Sequence, residues 1–262
     1  MLPALLLMLI TASCVHSEQR NYTGSTPADI LVRTFFGMPL HDSIDFIRWQ
    51  LSIDDDTYLL HCNYGISKPN TNGFMEGGKM IDINGKMTKE KNVYSLLYKN
   101  KVLQLAELST DLLHIMDDSH HLLGGNGGWS YTLSNLKPVK TDQLNFFSQA
   151  SSITDSIIYE GRTPCGVPGI IPEGMTCYKL KWHLVFYSDA PANENGDYKL
   201  FGTTYRKEGG RKGHWQIMHG KDNRIIYRLN DEQEKAFIYL VKADDNILLF
   251  TDASGKLLAG DH

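Results

Sequence analysis

Positive charge is in short supply in this chain. Its 262 residues carry 26 Lys and Arg against 30 Asp and Glu, a formal net charge of -4. A nucleic-acid binder needs a basic face to displace counterions from phosphates, so that class is set aside. Long apolar runs are missing too. The one apolar stretch of note, "MLPALLLMLI" from Met1 to Ile10, is too short to cross a bilayer as a helix. No amphipathic helical period stands out, and only "ADILVRTFFG" fits a short helix or lid. There is no nucleophile elbow, no paired-carboxylate motif and no phosphate loop, so the chain reads as a non-enzyme. Sharp metal spacing of the C-x-x-C with H-x-x-x-H kind is also missing. Cysteine is scarce, with 4 in the whole chain.

What is present begins with a leader. The apolar run gives way to small residues, as in the h-region and cleavage site of a secretory signal over residues 1–17. Two processing routes fit. Thr11-Ala12-Ser13-Cys14 resembles a bacterial lipobox, with Cys14 lipidated and anchoring the protein to a membrane. Alternatively a peptidase cuts after Val15-His16-Ser17 and releases a soluble, secreted protein. The lipidated form is preferred, because cysteine directly after a small-residue triplet is uncommon by chance. Both routes export the chain, to the outer membrane or periplasm in the preferred case. Cys62, Cys165 and Cys177 then face an oxidising compartment, where thiols pair or react. Three thiols allow one internal bridge, and Cys165–Cys177, the pair closest in sequence, is the first choice.

Past the leader the chain is written twice. "YTGSTPA" (Tyr22 to Ala28) and "YEGRTPC" (Tyr159 to Cys165) open two series of short runs rich in Val, Ile, Leu, Tyr and Phe. Trp49 and Trp182 lie 133 residues apart, as do Tyr94 and Tyr227, while Asp117 and Asp252 are 135 apart. Landmarks recurring in one order mean two copies of one structural unit. Runs such as "YKLKWHLVF" alternate, with Tyr178, Leu180, Trp182, Leu184 and Phe186 on one face, as in a half-buried antiparallel strand. The predicted fold is all-β, two tandem small antiparallel barrels or sandwiches. The first unit spans residues 18–136 and the second 158–262, with a polar linker over 137–157. The first copy runs on from "LLGGN" into "GGWSYTL", whereas the second stops at "LLAGDH", so the second unit lacks its last strand. Truncation is the preferred explanation; the alternative is an open unit closed by something else.

"YEGRTPCGVPGI", "GHWQI", the Tyr-Arg-Leu strand and "LLFTDASGKLLAG" resemble the NlpE family of envelope lipoproteins. That resemblance implies a lipocalin-like barrel in each repeat and a link to copper tolerance or surface sensing. The family has a C-x-x-C pair in this opening turn. Here Cys165 is followed by Gly166, Val167 and Pro168, and the first repeat has Ala28 with no cysteine, so the fold carries over better than a thiol or metal role.

Four chemistries are open to these residues. Copper favours imidazole, thioether and thiolate, and the candidates are His114, Met116, His120 and His121 in one run and His214, Met218 and His219 in another. The plainer reading has Met116 in a core and the histidines as solvated turn residues. Redox work by Cys165 competes with a structural bridge, which is preferred because the residues after it read as strand rather than helix. Asp117 and Asp252 could act in acid–base catalysis, but an Asp before Ser or Gly is explained by turn chemistry. Finally, a barrel can hold a small apolar ligand, with Trp49 and Trp182 as floor or as contacts. The expectation is a binding or envelope-sensing module for copper or a small apolar molecule, the alternative a thiol- or metal-dependent envelope enzyme.

Overall fold

The computed structural model describes residues 19–69, 71–137, 139–145, 156–163, 165, 167, 170, 177, 179–188, 194–202, 209–221 and 224–258. Cys14 and Tyr178 lie outside them. The first unit is a closed antiparallel barrel of eight strands in chain order. They are β1 (Arg20–Thr26), β2 (Phe46–Asp54), β3 (Thr57–Gly65), β4 (Lys79–Glu90), β5 (Val93–Tyr98), β6 (Lys101–Ser109), β7 (Leu112–Ile115) and β8 (Thr132–Ser134). Period-2 alternation does the sorting, since every second residue turns inward. In β2, for instance, Ile47, Trp49, Leu51 and Ile53 are buried in one cluster. The foreseen short helix is α1 (Ile30–Phe36). Asp29 caps it by accepting from the Val32 N–H at 2.9 Å, and Gly37 ends it in the left-handed region at φ 71°. Its Phe35 and Phe36 join the barrel core, where Phe36 lies 5.0 Å from Trp49.

The second unit repeats this plan with one strand fewer. β9 (Ser156–Thr163), β10 (Leu180–Tyr187), β11 (Asn195–Gly202), β12 (Arg211–His219), β13 (Ile225–Asn230), β14 (Ala236–Lys242) and β15 (Leu248–Thr251) form a seven-stranded antiparallel sheet curled into a nearly closed barrel. Leu180, Trp182, Leu184 and Phe186 share its core as the alternation predicts. Among the described residues nothing bridges β9 and β15, whereas β8 bridges β1 and β7 in the first unit.

Matching hydrogen bonds show why the Tyr-x-Gly-x-Thr-Pro frame recurs. The Trp49 indole donates to the Thr26 hydroxyl at 2.8 Å, and the Trp182 indole donates to the Thr163 hydroxyl at the same distance. Tyr22 donates to the Thr110 carbonyl at 2.6 Å, and Tyr159 donates to the Asp245 carbonyl at 3.1 Å. The glycines share a register, Gly24 opposite Trp49 and Gly161 opposite Trp182, yet their surroundings differ. A Cβ on Gly24 would meet the Thr132 carbonyl of β8 at 2.5 Å, while no described atom lies within 4 Å of a Cβ on Gly161. Gly24 is there because a strand passes close by; at Gly161 no such strand lies among the described residues.

The two units pack on each other. Ala106, Leu108, Leu112, Met116 and Leu122 from the first meet Val241, Ala243, Ile247 and Leu257 from the second. Val139 and Leu144, within the segment read as a linker, are buried in the same cluster. That segment is tied down by backbone bonds, Thr141 N–H to Gly255 O at 2.8 Å and Leu257 N–H to Val139 O at 2.6 Å. β9 begins at Ser156, two residues before the second unit's predicted start.

Candidate functional site

Where β9 and β15 fail to meet, a cavity of about 450 Å3 opens between the units. Its apolar floor is the second unit's own core, including Trp182, Leu184, Leu200, Leu240 and Phe250. Trp182 packs on Phe250 with ring centroids 4.6 Å apart. The opposite wall comes from the first unit, through His114 of β7, Trp129 and Ser130 of the loop before β8, and Thr132 of β8 itself. The edge of β9 adds Glu160, Gly161 and Arg162. Small-molecule sites run from about 300 to 1,000 Å3, with mostly apolar walls and a few polar groups, and this cavity fits that description.

Its polar groups are held in distinct ways. His114 is fully buried, and its Nε2–H donates to the Leu123 carbonyl at 2.9 Å while Nδ1 accepts from the Thr132 hydroxyl at 3.0 Å. Loss of water drives its pKa down to about 4, against weak opposition from the Leu123 bond and the charge of Asp244. Burial raises the Tyr159 phenol, helped by Tyr227, Asp245 and Asp244. The Glu160 carboxylate accepts from His183 Nδ1–H at 2.6 Å. Burial pushes the Arg162 guanidinium pKa down. It sits 5.0 Å from the Trp129 ring centroid, and Trp129 stacks in turn on Phe46 at 4.9 Å.

The residues named for copper are not brought together. His114 of β7 and Met116 just past its end do share the outer side, as alternation requires, but Met116 is buried in the cluster between units. His120 is at an exposed hairpin tip at φ 64°, and His121 lies 3.6 Å from Asp117. His214 and His219 are exposed, 2.7 Å from Asp197 and 3.0 Å from Glu194. Met218 is half-buried opposite Ile226. Among the described residues no three His, Cys, Asp or Glu are grouped to hold a metal ion.

Cys165 and Cys177 are joined in a disulfide, the pairing expected from their proximity. Cys62 is free but fully buried, and burial raises its thiol pKa well above the ordinary range, so it carries no thiolate at neutral pH. Asp117 and Asp252 serve turns as expected. Each Oδ1 accepts two backbone N–H groups, from Ser119 and His121 in one case and Ser254 and Lys256 in the other.

Sequence reasoning missed Trp129, Gly161 and Arg162 as parts of a site. The signal available was the difference between the two openings, where Arg162 stands at the position of Ser25. Fold and cavity together define a tandem β-barrel protein with a ligand-sized cavity at the open seam of its second unit. No family model matches this chain, and neither does any curated protein or solved structure.

Proposed function

We propose that the chain is an exported, lipid-anchored binding module whose ligand is a small, largely apolar molecule held at the open seam. The observation that carries this reading is the cavity itself, of about 450 Å3, floored by one barrel's core and walled by its neighbour. Export is supported by the apolar leader ending at Cys14 and by the Cys165–Cys177 disulfide, a bond typical of oxidising compartments. A small apolar molecule is favoured over copper because, among the described residues, no three His, Cys, Asp or Glu side chains converge, while the apolar walls do.

Nile red, a neutral apolar dye, tests the site. Its fluorescence is expected to rise and saturate at one equivalent of the mature protein. Gly161→Leu places a side chain into the cavity where no described atom stands within 4 Å. That variant is expected to fold normally and to lose the dye. Equal binding by both proteins would overturn the reading. Intact mass after expression with lipidation enabled tests the anchor, and an unmodified Cys14 in the processed protein would remove it.

A further inference from the structure

We propose that Arg162 is an anion-binding residue, and that the ligand of the seam cavity is an amphiphile with one anionic head group and an apolar tail. This rests on the cavity reading above and narrows the ligand from apolar to amphiphilic.

Four observations converge on Arg162. It lines the cavity, and its Nε is buried without a hydrogen-bond partner. A guanidinium offers five donors in a planar fork suited to carboxylate and phosphate, so an anionic acceptor seated here would satisfy a donor that the protein leaves unpaired. Second, among the described residues no carboxylate pairs with it, and the nearest in sequence, Glu160, is held by His183 at 2.6 Å. Third, Arg162 stands directly opposite Lys181 in the β9–β10 register. Burial lowers the pKa of nearby Lys179, and the charges of Arg162 and Lys181 lower it further, so three cations share one field. Fourth, the arrangement belongs to the second unit alone. The equivalent pair in the closed barrel is Ser25 opposite Arg48, with one charge, and there the Arg48 guanidinium donates to the Asn72 carbonyl, although its Nε, like that of Arg162, is buried without a partner. The second charge appears only where the barrel is open.

Trp129 completes the site from the other unit. The guanidinium lies over its ring at 5.0 Å, a contact that fixes where the charge sits. The apolar floor of Trp182, Leu200 and Phe250 then takes the tail.

The test displaces Nile red from the mature protein with dodecanoate, dodecyl phosphate or dodecanol, each below its aggregation concentration. The two anions are expected to displace the dye at concentrations about tenfold lower than the alcohol, as a charge-assisted bidentate contact implies. Whichever anion is stronger tells a fatty-acid source from a phospholipid one, and a preference for either over dodecanol supports the proposal. Arg162→Met is expected to abolish the preference of the anions over dodecanol, and Arg162→Gln to reduce it with smaller effect on packing. Equal displacement by all three compounds in the wild-type protein would overturn the anion site while leaving the cavity reading intact, and needs no variant to fold. A preference surviving in Arg162→Met would also overturn it. Failure of the wild-type protein to bind Nile red at all would sink the cavity reading and this inference together.

Discussion

Acid should weaken this protein earlier than its carboxylates alone would dictate, because His114 must gain a proton where only the neutral ring fits. The ring is fully buried at the boundary of the two units, its Nε2–H given to the Leu123 carbonyl and its Nδ1 accepting from Thr132. Its pKa falls from 6.5 to about 4 on folding, chiefly through loss of water. Between those values the unfolded chain binds more protons than the folded one. The stabilisation is therefore fully present above the unfolded value and lost as pH falls towards the folded one. The whole effect amounts to about 3 kcal/mol, of which roughly 2 kcal/mol is gone at about pH 5. Urea unfolding followed by tryptophan fluorescence, at neutral pH and again at about pH 5, measures it. His114→Gln removes the titration and serves as the reference. Glu107, Asp117, Asp231 and Asp252 also have lowered pKa values, but they act at lower pH and are common to both proteins. The wild type should lose about 2 kcal/mol more than the variant over this interval. Parallel losses in the two proteins would refute the reasoning, as would a His114 ring observed by NMR to titrate near 6.5 in the folded state.

Two further comparisons exploit the duplication. Gly24→Val drives a side chain into the β8 backbone and should cost about 2 kcal/mol or more, whereas Gly161→Val meets open space and should stay within about 0.5 kcal/mol; thermal melts would read the contrast. Thr26→Val and Thr163→Val each orphan an indole N–H and should cost about 1–3 kcal/mol by chemical denaturation, with the larger loss at Thr26 because Trp49 is 0% exposed and Trp182 8%.

Much of this architecture was legible because it is local or repeated. Strand alternation, the recurrence of Trp49 as Trp182, and the run "GGWSYTL" without a counterpart led to two barrels, the second short of a strand. Cys165 found Cys177 by proximity. The cavity was not legible, since it depends on how the outer face of one unit meets the seam of the other. In the second half of β6, in β7 and at Met116 just beyond it both faces are buried, so Ala106, Leu108, Leu112 and Met116 point away from the barrel core yet into a second one. His114 lies on that outer face, where alternation alone would put it in water. Arg162 was invisible for the same reason, because whether a guanidinium has a partner is settled by its neighbours in space.

The gap between β9 and β15 has a consequence for the molecule as a whole. A closed barrel keeps its interior to itself, but here the interior of the second unit is continuous with the boundary between units. Part of the wall of the cavity is borrowed from the first unit, Trp129, Ser130 and Thr132 among it. Anything seated there touches both halves and holds them together by mass action, and any force that parts them releases it. The open seam thus joins two folds into a clasp whose grip and whose cargo rise and fall together.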